Sequence, residues 1–324
     1  MKTWRRLLAA VVWLSLTSAI GKGESYPTKA ITLVVTAAPG GVTDILARVL
    51  GERLAKSWDQ QIVVLNRPGA SNQIGAEYVA RSAPDGYTML VSAEATFVIN
   101  PWLYSKLPYD PMKDFTPVTG LVSISQSLIA NPFVSAENLK ELIELAKQRP
   151  GELNYGTFGV GSTGHLNMEM LQSMTGVKLG AVHYKGATPA LTDVIAGHIQ
   201  MMFISTSSAI EPWTAGKLKL LAVGSSKRLA RFPEIPTIAE SGVPGFEAVS
   251  WFGLFAPGGT PRDVVARVNA EVRRVFEDPE FRSKFLAPNM FESMVSSPEQ
   301  FSAFIESEVQ KWGQVVRSAK VKLD

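Results

Sequence analysis

Residues 31–55 read ITLVVTAAPGGVTDILARVLGERLA, and residues 153–175 read LNYGTFGVGSTGHLNMEMLQSMT. Both stretches pass from a short apolar run, through a glycine turn, to apolar residues at helical spacing. In the first, Ile31 to Ala38 predicts a strand, Pro39-Gly40-Gly41 breaks it, and Ile45, Leu46, Val49, Leu50 and Leu54 mark one face of a helix. In the second, Leu153 to Thr157 predicts a strand and Gly159-Val160-Gly161-Ser162 the turn. A helix follows from His165 to Met174, with Leu166, Met170, Leu171 and Met174 facing inward. Two doubly wound sheets of this kind would set two helix N-termini opposite each other across a crevice.

The rest of the chain supports β/α alternation. Gln61 to Leu65 and Tyr87 to Ser92 predict strands, with a helix over Gly75 to Ser82 between them. Asn100 to Pro117, rich in Pro, Tyr, Asp and Lys, reads as an ordered surface connection. The alternation restarts with a strand at Ser127 to Ala130 and a helix over Ala136 to Gln148. Strands at Lys178 to Tyr184, Ile199 to Ile204, Lys219 to Val223 and Ala248 to Ala256 follow, with a short helix over Pro189 to Ala196. Such a series predicts mainly parallel sheets covered on both faces. Two late helices carry start signals. Thr260-Pro261 offers an N-cap Thr and Pro at the first helical position, and Ser297-Pro298-Glu299-Gln300 resembles a capping box. The last helix is amphipathic through Phe301, Phe304, Ile305, Val309, Trp312, Val315 and Val316, a stripe read as core.

Composition narrows the chemistry. A chain of 324 residues, 46% hydrophobic and 19% charged, suits two domains at ~150 residues each. With no cysteine, disulfide scaffolds, thiolate metal sites, cysteine nucleophiles and a lipidated N-terminal Cys are excluded. His165, His183 and His198 are the three histidines, and no His/Asp/Glu spacing matches a metal motif, so no metal and no cofactor are expected. Net charge is +3, which taken alone would suit an acidic partner such as nucleic acid. However, Lys2, Arg5 and Arg6 precede an apolar run from Leu7 to Ala19, too short to span a bilayer and typical of a secretory signal. A signal peptide is expected over 1–23, cut between residues 19 and 25. Removing 1–23 lowers Lys+Arg from 32 to 28 against 29 acids, a net of −1. The basic excess belongs to the export segment, and nucleic-acid binding is not expected. The mature chain is expected to be a soluble periplasmic monomer.

The candidate site lies at the two glycine turns. A helix N-terminus offers free N–H groups and a positive dipole end, and glycines let backbone approach a ligand. Around the first turn the candidates are Ala38, Gly40, Gly41, Thr43 and Asp44; Asp44 also reads as a helix cap. Around the second they are Thr157, Gly159, Gly161, Ser162, Thr163 and His165. Gly159, Gly161 and Gly164 satisfy G-x-G-x-x-G, but Lys178 to Thr188 holds no acid to bind a ribose, so a dinucleotide site is discounted. A serine-hydrolase elbow needs Gly where Val160 stands, and His165 shares a helical turn with Ser162, which argues against catalysis.

The ordered motifs Ala38-Pro39-Gly40-Gly41 with Asp44, Asn66-Arg67-Pro68-Gly69-Ala70, Pro84-Asp85-Gly86-Tyr87-Thr88 and Leu107-Pro108-Tyr109-Asp110-Pro111 carry a resemblance. So do Gly159-x-Gly161-Ser162-x-x-His165-Leu166, Tyr184-Lys185-Gly186 and Trp251-x-Gly253-Leu254-x-Ala256-Pro257. Together they resemble the tripartite tricarboxylate transporter receptors, or Bug family, of exported solute-binding proteins. The resemblance implies an α/β two-lobed periplasmic-binding-protein fold, a type II-like Venus flytrap. Lobe 1 would comprise 26–124 and 248–324, and lobe 2 would comprise 125–247. It implies capture of a small organic acid for membrane transporter subunits, with the glycine turns as pincers on the carboxylate. Signalling to a membrane sensor is the alternative role. The chain departs from the family at Thr36-Ala37, where Pro and an aromatic are common, at Gln200 for Asp, and at His183 for Pro.

Overall fold

The computed structural model describes residues 26–323. The expected signal peptide lies outside the described residues. The chain runs β1 (Ile31–Val35), α1 (Val42–Trp58), β2 (Ile62–Asn66), α2 (Gln73–Ala80) and β3 (Thr88–Ala93). A π-helical turn (Ala95–Ile99) and α3 (Asn100–Leu103) lead to β4 (Phe115–Ala130). Then come α4 (Leu139–Gln148), β5 (Asn154–Thr157), α5 (Thr163–Thr175), β6 (Gly180–His183), α6 (Ala187–Ala196), β7 (Met201–Ser205), α7 (Thr206–Thr214) and β8 (Lys219–Val223). The chain ends with β9 (Val249–Pro257), α8 (Arg262–Glu277), α9 (Pro279–Phe281), a second π-helical turn (Arg282–Leu286), β10 (Glu292–Ser293) and α10 (Pro298–Ala319).

Strand order is β2-β1-β3-β9-β4-β7-β5-β6, with β8 and β10 also on β4. The flanks are parallel: β1 pairs β2 and β3, and β5 pairs β6 and β7. The centre is antiparallel, because β9 inserts between β3 and β4, and β4 meets β7 and β8 head to tail. β4 is the element that organises the molecule. Its first part, Phe115 to Ser125, pairs with β9, and its last five residues, Gln126 to Ala130, pair with β7. The chain leaves this crossing and returns beside it, since the Gln126 N–H donates to the Ala248 carbonyl at 3.0 Å.

The core follows from this layering. β1 buries Leu33 and Val35 against Leu46, Leu50 and Leu54 of α1 and Val268 and Val272 of α8. The opposite face packs Val34, Leu90 and Phe255 beneath Phe97, Phe301 and Trp312 of the first π-turn and α10. Across the crossing, Ile129, Met202 and Ile204 meet Ala190 and Val194 of α6. Ser297 caps α10 in a complete capping box with Gln300, as the sequence predicts.

Some sequence readings are corrected. β1 stops at Val35 rather than Ala38, because the Ala37 carbonyl turns to the Asn66 side chain at 3.0 Å. β4 is sixteen residues long, not four; Pro117, Gly120 and its hydroxyl residues hide it, and its register shifts beside Pro117, which has no N–H to give. Asn100 to Pro117 is not a surface connection throughout, since Asn100, Leu103, Tyr109 and Phe115 are buried. Pro261, not Thr260, occupies the N-cap of α8; the Thr260 hydroxyl donates back to the Pro257 carbonyl. Met174 is exposed rather than inward. α7 escapes the sequence reading because Ser207, Ser208 and Pro212 mask its spacing.

Candidate functional site

A cleft of about 520 Å³ opens beyond the C-terminal ends of β3 and β5. Ligands of open α/β sheets bind at such strand ends. Its walls come from four places. Ser71 and Asn72 precede α2, Ala93 ends β3 with Glu94 and Ala95 just after it, Phe158 to Thr163 form the second glycine turn, and Ser250 and Phe252 lie on β9. Ile99, Asn100, Leu103 and Leu323 close the floor.

The second glycine turn is braced from within. The Ser162 hydroxyl donates to the Gly159 carbonyl at 2.7 Å and accepts the His165 N–H at 3.4 Å, which caps α5. The Gly159 N–H donates to the Thr157 hydroxyl at 3.2 Å, and that hydroxyl lies 2.8 Å from His183 Nδ1. The Gly161 N–H donates to His165 Nδ1 at 3.1 Å. That bond requires a bare Nδ1, so His165 is the neutral tautomer with its proton on Nε2, 3.9 Å from Glu169. Burial pushes the His165 pKa below its ordinary value, with Glu169 opposing and His183 assisting. Helix geometry leaves the N–H groups of Thr163 and Gly164, in the first turn of α5, without carbonyl partners inside the helix.

Gly161 has φ +75, and a Cβ there would come within 2.8 Å of Leu103 and 3.1 Å of Leu323. Only glycine fits both the backbone and the space.

The first glycine turn is built differently. The Gly41 N–H donates to the Ala38 carbonyl at 3.2 Å, and the Gly40 N–H donates to Asp44 Oδ2 at 2.9 Å. Asp44 does not cap α1 as an N-cap residue; Gly41 holds that position. The buried Asp44 carboxylate instead accepts from Arg48, Gly40 and Asn66, at 2.9 Å from Arg48 and 2.8 Å from Asn66. The Arg48 bond is the largest cause holding its pKa down to about 2; burial acts the other way, and the Gly40 and Asn66 bonds assist.

The predicted residues thus fall into three groups. Gly159, Gly161, Ser162 and Thr163 line the cleft. Thr157 and His165 are buried behind them and fix the turn. Ala38, Gly40, Gly41, Thr43 and Asp44 stand outside the lining, with Thr43 and Asp44 buried and Ala38 and Gly40 exposed. The N–H groups of Gly40, Gly41, Gly159 and Gly161 are all engaged inside the two turns.

Sequence reasoning missed the Ser71–Asn72 wall and Glu94. Ala70, Ser71 and Asn72 have φ of 46, 50 and 75, three successive non-glycine residues in the left-handed region. Each costs on the order of 1 kcal/mol, and such strain concentrates at ligand sites. Asn100 holds the loop by donating to the Ser71 carbonyl at 2.7 Å, and Tyr104 OH lies 2.9 Å from the Ser71 hydroxyl. The Asn66-Arg67-Pro68-Gly69-Ala70 motif, which leads into this loop, was the available signal.

Among the described residues there is no group of three or more His, Cys, Asp or Glu able to hold a metal. None of their helices is long and apolar enough to cross a membrane. His165 Nδ1 accepts from a backbone N–H and Ser162 donates to a carbonyl, so the pair is not arranged as nucleophile and base.

An α/β fold with its cleft at the strand ends, walled by a glycine turn and a helix N-terminus, defines a periplasmic-type solute-binding protein. The chain belongs to the tripartite tricarboxylate transporter receptor (TctC) family, whose model matches residues 46–321. It is 34% identical to protein BugT of Bordetella pertussis, covering 98% of each chain. Among solved structures, Rpa4515 of R. palustris with adipate is similar at 37% identity and a TM-score of 0.79, covering 92% of this chain and 99% of that one. MatC from Rhodopseudomonas palustris with bound malate is 33% identical, with a TM-score of 0.72, covering 90% of this chain and all of that one.

Proposed function

We propose that this receptor captures a small carboxylate between two lobes outside the cytoplasm and delivers it to membrane transporter subunits, without catalysis. The observation that carries the reading is a cleft whose wall is the start of α5, in a chain whose similar structures hold adipate and malate. The unpaired N–H groups of Thr163 and Gly164 and the dipole of α5 supply an anion site. We place the lobe boundary at the β4 crossing, giving 26–124 with 248–324 as lobe 1 and 125–247 as lobe 2. In this reading the first glycine turn is the opposing jaw, meeting the ligand when the lobes close, and Ala38 to Asp44 complete the site. Export through the N-terminal segment and a small-carboxylate ligand follow from the same reading.

Thermal unfolding with a panel of mono-, di- and tricarboxylates, adipate and malate included, tests it. A ligand present at a hundred times its Kd stabilises the fold by about 2.7 kcal/mol, a clear upward shift in Tm. No shift with any member of the panel refutes carboxylate capture.

A further inference from the structure

Among the described residues, those lining the cleft include no lysine, arginine or histidine, and one carboxyl, Glu94. An acid is an unexpected wall for an anion site. Glu94 follows β3 directly and is 2% exposed. Its backbone N–H donates to the Trp251 carbonyl at 3.0 Å, and its Oε2 accepts the Trp251 N–H at 3.2 Å. Ser250, also in the lining, hydrogen-bonds its carboxyl and accepts from Gln126 Nε2 at 3.2 Å.

The Glu94 carboxyl has hydrogen-bond donors beside it but no cation among the groups that act on it. From β9 it receives only the Trp251 N–H and the Ser250 hydroxyl. From β4, Gln126 reaches it through Ser250. From α10 the nearby charge is another carboxylate, Glu308, which accepts the Trp251 indole N–H at 3.1 Å and is paired with Lys311. On the facing turn, His165 is neutral and bonded to Gly161. Burial, with the Glu308 charge adding to it, raises the Glu94 pKa to about 7 against the pull of its hydrogen bonds. A ligand carboxylate closed into the same cleft would add a second negative charge and remove more water. Both changes favour the protonated acid.

We propose that Glu94 binds as a neutral acid: ligand capture takes up one proton at Glu94, whose O–H donates to the ligand carboxylate. The inference rests on the carboxylate reading above. It makes the receptor proton-coupled, holding its ligand more tightly on the acidic side of neutrality and releasing it more readily on the alkaline side.

Calorimetric titration with adipate, and in parallel with malate, tests this at pH 6.5 and pH 8.5 in buffers of different ionisation enthalpy. Both ligands are ionised throughout that range. The expected result is uptake approaching one proton per ligand at pH 8.5. Kd should rise by up to about tenfold per pH unit above neutrality. Glu94→Gln, which keeps a donor in place but cannot titrate, should lose the proton uptake and the pH slope. It should bind more tightly than the wild type at pH 8.5. Ligand binding with a flat Kd and no proton uptake in the wild type overturns the proposal and leaves the carboxylate reading intact. So does proton uptake that persists in Glu94→Gln, or a folded Glu94→Gln that no longer binds. Failure of the wild type to bind either ligand or any other member of the carboxylate panel, at either pH, refutes both.

Discussion

Replacing Asp44 by Asn should loosen the first glycine turn by an amount that the structure fixes. Asp44 sits buried beneath the turn and gathers the Gly40 N–H, the Asn66 amide and the Arg48 guanidinium. Its pKa falls from 3.8 to about 2, chiefly through Arg48. At about 1.4 kcal/mol per unit, the folded state favours the ionised form by roughly 2.5 kcal/mol. Arg48 is half exposed and screened by solvent, so about 2 kcal/mol is the better expectation. Because the folded pKa is depressed, this stabilisation is complete above pH 3.8 and is lost as pH falls through about 2. Asn matches Asp in shape but carries no charge and turns an N–H₂ toward existing donors. Urea unfolding at pH 7 should therefore show Asp44→Asn less stable by about 2 kcal/mol, with roughly half that deficit remaining at pH 3. A loss under about 0.5 kcal/mol at pH 7, or an equal loss at both pH values, would show that Asp44 is not the anchor of this turn.

The two glycine turns should respond differently to substitution. Gly41 has φ −73 and ψ 164, which any residue adopts, so Gly41→Val should cost only the poorer N-cap, about 1 kcal/mol, and still abolish binding of adipate or malate. Unaltered affinity by calorimetry would remove the first turn from the site. Gly161→Ala meets Leu103 and a left-handed φ, and should lose about 1–3 kcal/mol of stability as well as affinity, measured by urea unfolding and ligand titration. Glu308 accepts both indole N–H groups, from Trp251 and Trp312, at 3.1 Å each. Glu308→Leu should cost about 3 kcal/mol by tryptophan-monitored unfolding, with Glu308→Gln closer to wild type. For His165, whose folded pKa is depressed by burial, stability is fully present above pH 6.5 and declines as pH drops below it, by at most about 1.4 kcal/mol per unit. His165→Asn should flatten that decline, as followed by unfolding from pH 7.5 to 5.

The parts legible in the sequence are those where local chemistry and fold agree. The strand–turn–helix at Ile31 and its echo at Leu153 needed only apolar spacing and glycine, and the Ser297 box needed only a cap. The long β4 was hidden because its burial is decided by partners far away in sequence, not by alternation along itself. The same holds for the cleft. Ser162 and Thr163 lie next to a visible glycine turn, whereas Ser71, Asn72 and Ser250 reach the cleft only through sheet order. Glu94 was passed over because an acid between two alanines, Ala93 and Ala95, resembles a solvated turn until β9 closes over it.

The return of the chain beside its point of departure has a consequence for ancestry. Gln126 and Ala248 are hydrogen-bonded neighbours, and Gly224 bridges them by donating to Gln126 and accepting from Ala248. Everything from Asn131 to Glu247 therefore enters and leaves through one neck, as an inserted cassette would, while α5 packs on α10 in a core shared with the rest of the chain. A relative's cassette grafted at that neck would bring its own glycine turn, while Glu94 and the Ser71–Asn72 wall stayed with the host. Six of the seventeen residues that line the cleft, Phe158 to Thr163, would be exchanged in a single recombination, a short route to a differently lined cleft.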